Sequence, residues 1–152
     1  MTEVFRLVRA ERADDALSGE GARRYGGRWN PPGAAVVYAS ESRALAVLET
    51  FVHLTLEARA MRFLLYSITL PSRPRLQRHG AARRPRTLAA SQEIGHAWID
   101  AAAALGLIVP SVIVPQEANY VLNVRHPQFA HVRIGKPEAF SFDERLWRRR
   151  NA

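Results

Sequence analysis

The chain has no cysteine and a single lysine. Without cysteine there is no disulfide, no thiol nucleophile and no Cys-based zinc site. Its five histidines (His53, His79, His96, His126 and His131) lack metal-ligand spacing such as His-Glu-x-x-His. There is no phosphate loop ending in Gly-Lys and no glycine-rich dinucleotide fingerprint after a strand, which excludes a site of the dehydrogenase kind. No apolar run approaches the roughly 18 residues of a membrane span. The opening Met1-Thr2-Glu3-Val4-Phe5-Arg6 has no apolar secretion core. These absences predict a cytoplasmic protein with no membrane association and no metal or prosthetic group.

The 152 residues suit one domain, 1–152, with a sizeable core. An apolar fraction of 47% with three Trp indicates a folded globule rather than a disordered chain. The net charge is +8, and all 22 basic residues except Lys136 are arginine, leaving 21 arginines. Such a balance attracts anions: nucleic acid, a phosphate-rich small molecule or an acidic protein.

Val4–Arg9, Val36–Tyr38, Arg62–Leu70, Leu107–Val114, Tyr120–Val124 and His131–Ile134 read as strands. Arg62–Leu70 has the composition of a strand buried on both faces. Residues 14 to 25 read as a loop, with Ser18-Gly19 and Glu20-Gly21 as breakers. Ser40 offers an N-cap for a helix running to about Glu57. A second helix, Ala89–Leu105, carries Ile94, Trp98 and Leu105 on one stripe and Gly106 as its terminator. A short basic helix spans Asp143–Arg150. The connection from Ser72 to Arg86, with six arginines, reads as a solvated surface loop. Few helices among closely spaced strands predict an α+β fold with mixed or antiparallel sheets.

Glu49 stands out within the first of these helices. At 100° per residue, Leu45, Leu48, Val52 and Leu56 make one apolar stripe, and Glu49 points with it. A carboxylate aimed at a core costs several kcal/mol unless something pairs with it or uses it. Arg28, after Gly26-Gly27, is the candidate partner or co-worker.

The ordered set Gly27-Arg28-Trp29, Val37-Tyr38-Ala39-Ser40 and Ala46-Val47-Leu48-Glu49 resembles the RES domain, named for its Arg, Glu and Ser. Leu107 to Pro115, with Ser111, continues the likeness. So do Glu117-Ala118-Asn119, Leu122-Asn123 and His126-Pro127-Gln128-Phe129. The resemblance spans roughly Phe5 to Leu146, with Val124 standing where the family pattern usually has proline. It implies an ADP-ribosyltransferase-like fold and an NAD-consuming toxin with NAD as substrate. The toxin would act by hydrolysis, by phosphorolysis or by transfer of ADP-ribose to a protein target. An Xre-like helix-turn-helix antitoxin would cover the site.

In that frame Glu49 stabilises charge on the ribose, and Arg28 holds pyrophosphate through its planar fork, with Arg9 as a weaker second anchor. Tyr38 either stacks on nicotinamide or is a core tyrosine. Ser111, outside any Gly-x-Ser-x-Gly elbow, hydrogen-bonds toward substrate or Glu49. Asn119 and Asn123 are further polar contacts or strand-edge residues. The competing class is a basic nucleic-acid-binding module without chemistry. It explains the charge but not the ordered Arg–Tyr–Glu–Ser set.

Overall fold

The computed structural model describes residues 1–148, so Arg149 and Arg150, assigned above to the last helix, lie outside the described residues. Eight strands form one sheet: β1 Glu3–Arg9, β2 Val36–Ser40, β3 Phe63–Thr69, β4 Leu76–Arg78, β5 Gly106–Pro110, β6 Ala118–Asn123, β7 Arg133–Ile134 and β8 Glu138–Phe140. Their order is β4-β5-β6-β2-β1-β3-β7, with β8 also pairing β3. Only β4–β5 is parallel. The helices are α1 Glu20–Tyr25, α2 Arg43–Phe51, α3 Leu88–Ala101 and α4 Glu144–Arg148. This is the α+β arrangement with a mixed sheet that the strand spacing predicts. No helix among the described residues is long and apolar enough to cross a membrane.

Strands β1 and β3 pair along their whole length, from Glu3↔Thr69 to Arg9↔Phe63. Strands β2 and β6 likewise pair fully, from Val36↔Asn123 to Ser40↔Asn119. Between these blocks, β1 and β2 share one pair only, Phe5↔Ser40. The sheet therefore splays between β1 and β2. Cores form around the splay. Phe5 and Leu7 join Ala46 of α2, Leu54, Phe63, Leu65, Phe142 and Trp147. Trp29, Val36, Trp98, Leu107, Val109 and Val121 form another cluster.

Several boundaries differ from the sequence reading. Ser40 is a buried strand residue; the cap of α2 is Ser42, whose hydroxyl accepts from Leu45 N at 3.0 Å. Helix α2 stops at Phe51, and Leu56–Ala60 is a separate 3-10 turn. Residues 20–25, read as loop, are α1, and a 3-10 segment spans residues 10–15. Helix α3 ends on Ala102 in the left-handed conformation (φ 51°), so Leu105 lies beyond it and Gly106 opens β5. Strand β5 stops at Pro110 rather than Val114. The arginine-rich connection is not all loop: it contributes β4, whose short backbone ladder with β5 carries no hydrophobic periodicity. At the missing proline, Val124 N donates to Ala35 O at 3.3 Å, a bond proline could not make.

The buried face of α3 is Ser91, Gly95 and Trp98. Gly95 is required by closeness, not by φ: a Cβ there would stand 1.5 Å from Trp29 O. Helix α3 thus lies directly against the turn that carries Arg28. Gly95→Ala must push the helix off that turn. Overpacking costs about 1–3 kcal/mol when neighbours can yield, and a backbone carbonyl yields least. The melting temperature should fall by roughly 10 °C, at about 2–4 °C per kcal/mol for a chain this size. A thermal melt within 2 °C of the parent would disprove the contact.

Candidate active site

The splay between β1 and β2 opens a cleft of about 580 Å³. Arg9, Arg28, Tyr38, Glu49 and Asn119 all line it, together with Arg6, Ser40, Thr50 and His53. Residues far apart in the chain converge here because β1, β2, the α1–β2 turn and α2 meet at the point where the sheet parts.

Glu49 is half-buried, but the stripe argued for it is not the core face of α2. Leu48, Val52 and Leu56 are 36–46% exposed. The buried residues of α2 are Leu45 and Ala46, and Val47 and Phe51 pack against the core beside Ala46. The helix turns Leu45, Ala46, Val47 and Phe51 inward, and Glu49 lines the cleft rather than a hydrophobic interior. Nor does an arginine pair with it. Its Oε1 accepts from Ser111 Oγ at 2.7 Å and from Asn119 Nδ2 at 2.7 Å. Among the described residues Oε2 takes no hydrogen bond.

Each partner is itself fixed. Ser111 Oγ accepts from Ile113 N at 3.1 Å and Val114 N at 3.0 Å, while Ser111 N donates to Glu117 O. Its hydroxyl proton is therefore directed at Glu49. Asn119 Oδ1 accepts from Ser40 Oγ at 2.7 Å, which orients the amide with its NH₂ toward Glu49. Ser111 has no exposed surface and does not line the cleft. Of the two bonds expected of Ser111, the one to Glu49 is made; its burial leaves no surface for substrate, so the structure does not place it as a catalytic residue. Asn123 is also displaced from the site. It lies four positions along β6 from Asn119, opposite Val36, and its Oδ1 accepts from Arg125 N at 3.0 Å.

The turn bearing Arg28 is held on three sides. Gly26 ends α1 in the left-handed region (φ 74°), a conformation glycine adopts without strain. Asn30, fully buried, donates from Nδ2 to Ala22 O and Pro31 O, both at 3.0 Å. Gln92 of α3 donates to Gly27 O at 2.9 Å and Asn30 O at 3.3 Å. Tyr38 OH donates to Asn30 Oδ1 at 2.5 Å and accepts from Trp29 N at 3.0 Å. Arg28 itself is exposed, its guanidinium projecting from a fixed backbone. Tyr38 thus combines two roles: its hydroxyl is committed to the turn, and its side chain still borders the cleft.

Arg6 was not singled out from the sequence. It sits on β1 between Val4 and Val8 on one face, a charged residue in an otherwise buried row. That interruption was the available signal. Its Nε donates to Ala16 O at 2.8 Å and its Nη1 to Tyr38 O at 2.9 Å, so the side chain bridges the splayed strands. Desolvation lowers its pKa; Asp15 opposes this, and no ion pair forms among the described residues. Arg9, by contrast, is exposed and sits 3.9 Å from Glu11. Of the two, Arg6 is the better-placed anchor for an anion in the cleft. Gln92 was missed too, because a polar residue on a helix gives no hint that it faces a turn.

A cleft, a hydrogen-bonded carboxylate and two arginines thus meet on one α+β fold with a mixed sheet. The RES domain family matches residues 3–143, and the chain belongs to it. It is 34% identical over 149 residues to "Toxin Res" of Yersinia enterocolitica, covering 94% of this chain and 98% of that one. It is 37% identical over 161 residues to the "Prs ADP-ribosylating toxin" of a Sphingobium species, covering 97% and 98%. The fold matches a chain from the crystal structure of the Mycobacterium tuberculosis MbcT–MbcA toxin–antitoxin complex. The TM-score is 0.72 at 23% identity, covering 91% of this chain and 84% of that one. "NAD(+) phosphorylase MbcT" of the same species is 50% identical over 46 residues, 30% of this chain and 24% of that one.

Burial pushes the Tyr38 phenol up to about 12, against the opposing bond from Trp29 N and the nearby charges of Arg28 and Arg6. The folded state therefore holds this proton more tightly than the unfolded chain, where tyrosine titrates near 10. Its contribution to stability is complete below about pH 10 and is lost as the pH rises toward 12. Denaturant midpoints should fall across that window. Tyr38→Phe should abolish this component and lower stability by about 1–3 kcal/mol at neutral pH, because Trp29 N–H loses its acceptor. An unchanged alkaline profile in Tyr38→Phe would remove the buttress role.

Proposed function

We propose that this RES-domain protein is an NAD-consuming toxin that breaks the bond between nicotinamide and ribose. The reading rests on one observation: a carboxylate fixed at the cleft through a single oxygen, with the other left for a ligand. The nicotinamide of NAD leaves as a neutral molecule from a cationic ring, so no general acid is required. What the transition state needs is stabilisation of positive charge on the ribose, and Glu49 supplies it. Its free oxygen can also accept a ribose hydroxyl. Arg28 and Arg6 offer guanidinium forks for pyrophosphate oxygens. Tyr38 supplies an aromatic edge for the nicotinamide.

Two relatives support this chemistry by name, one as an ADP-ribosylating toxin and one as an NAD(+) phosphorylase. The structural neighbour is part of a toxin–antitoxin complex, which supports an antitoxin partner here. We assign that partner to the Xre-like helix-turn-helix type and place the pair in the cytoplasm, where NAD is present. Nucleic acid then meets the complex through the antitoxin, with only weak contacts from the toxin's own arginines.

Glu49→Gln separates holding from chemistry. Its Oε1 still accepts from Ser111 and Asn119, so the variant should melt within a few degrees of the parent. Nicotinamide release should drop roughly 100-fold or more, the scale of one lost transition-state contact. Arg28→Ala should mainly raise KM for NAD, with a smaller effect on kcat. Chelator should leave the parent rate unchanged, because the leaving group needs no Lewis acid. Full activity in Glu49→Gln with an intact fold would sink the assignment.

A further inference from the structure

A second cavity, of about 470 Å³, adjoins the Arg28 turn. Arg28, Arg84 and Arg86 line it, and among the described residues no Asp or Glu does. None of these three arginines forms an ion pair among the described residues. Arg84 is partly fixed, its Nη2 donating to Val112 O at 3.3 Å. Like charges gathered without a counter-charge repel one another, and an anion seated between them relieves that repulsion. The planar fork of arginine meets phosphate oxygens in pairs, so a phosphate monoester is the anion these walls suit.

The cavity meets the cleft at Arg28 and Trp29, which line both. In the NAD-cleaving reading above, Glu49 faces the nicotinamide-bearing ribose and Arg28 the pyrophosphate. The adenosine ribose then lies beyond Arg28 from Glu49. Elsewhere along the cleft, Arg9 and Arg12 are already paired with Glu11 and Asp15, whereas the charge beside Arg28 has no counter-charge. A site that selects the unphosphorylated dinucleotide sets a carboxylate at the 2′-hydroxyl of that ribose, and one that takes a 2′-phosphate sets arginine there. We infer that the second cavity seats the 2′-phosphate of NADP, which makes NADP at least as good a substrate as NAD; the inference rests on the NAD-cleaving reading. Arg84 and Arg86 hold the 2′-phosphate, and Arg28 stands between it and the pyrophosphate. The reacting bond is the same. The bond from C1′ to the nicotinamide nitrogen breaks, its electron pair goes to the ring nitrogen, and the acceptor oxygen bonds to C1′. With water as acceptor, the products are 2′-phospho-ADP-ribose, neutral nicotinamide and a proton released to solvent.

The test uses the full chain and the double variant Arg84→Ala, Arg86→Ala. Both side chains are exposed, so the fold should persist, and a melt checks it. Initial rates of nicotinamide release are measured with NAD and NADP varied separately. In the parent chain kcat/KM for NADP should equal or exceed that for NAD. In the double variant KM for NADP should rise about tenfold or more, the scale of lost hydrogen bonds to a charged group, with KM for NAD unchanged. Adenosine 2′,5′-bisphosphate should inhibit NAD cleavage by the parent at lower concentration than adenosine 5′-phosphate does, and the variant should lose that difference. If the variant unfolds, the two measurements on the parent decide alone. A parent that prefers NAD, a bisphosphate with no advantage, or a folded variant that treats both dinucleotides alike overturns the inference and leaves the NAD-cleaving reading standing. A parent chain that releases nicotinamide from neither dinucleotide overturns both.

Discussion

Strands β1 and β2 touch at one residue pair, and the cleft exists because they do. Had they paired along their length, the sheet would have closed over the space that Glu49, Arg28 and Tyr38 border. The single row that crosses the junction runs Phe5, Ser40, Asn119, Val109. Ser40 and Asn119 are polar members of that row, and they bond to each other and on to Glu49. The hinge of the splay and the holder of the carboxylate are thus one structure. Arg6 completes it from the other side by spanning the gap from β1 to the Tyr38 carbonyl. A guanidinium there satisfies a strand carbonyl that has no β-ladder partner across the gap, and it leaves charge facing the cleft.

The site divides into groups that can reach a ligand and groups that aim them. Glu49 and Arg28 present unpaired polar atoms. Ser111, Ser40, Asn30 and Gln92 spend theirs on protein partners. Asn119 and Tyr38 line the cleft but are committed in the same way. Two mechanisms of fixation are used. Around Glu49 the fixing groups are side chains, so a carboxylate oxygen is held to hydrogen-bond precision. Around Arg28 they act on backbone atoms of residues 27, 29 and 30, so the turn is rigid while its side chain is free. That difference suits the tasks proposed for them. A carboxylate opposing a charge that develops at one ring must not move, whereas an arginine following pyrophosphate oxygens needs reach.

Much of the fold class was legible, because strand runs with few helices leave little choice beyond a mixed α+β sheet. The Glu49 argument reached a cleft-lining residue by a wrong route. A helical wheel places Leu48 and Val52 with Glu49, but Leu48 and Val52 are exposed while Glu49 lines the cleft. Ala46 and Phe51 carry the packing instead, and alanine adds little weight to a hydrophobic pattern. Ser40 and Ser42 are equal as caps in sequence, and only the register of β2 with β6 makes Ser40 a strand residue. Asn119 and Asn123 looked alike for the same reason: four residues along one strand are a small step in sequence and about 13 Å in space. Gly106 mimicked a helix terminator, whereas it opens β5, paired with Leu76 of β4. In each case a pairing across long sequence separation outweighed the local signal.

The arginine excess acquires a structure as well. Among the acidic residues that form ion pairs are Glu11 with Arg9, Asp15 with Arg12, Glu144 with Arg59, Asp143 with Arg145 near the C-terminus, and Glu20 with Arg23 and Arg24 on α1. Hydrogen bonds from Arg23 and Arg24 hold the Glu20 carboxyl down to about 2, so these pairs persist through the whole neutral range. Among the arginines outside these pairs, Arg28, Arg84 and Arg86 line a shared space beside the turn that follows α1. The excess behind the net charge of +8 thus includes three arginines gathered at one turn. Part of it stands with Glu49 at the cleft, where Oε2 takes no hydrogen bond among the described residues, an arrangement suited to the entry of a small, highly phosphorylated anion.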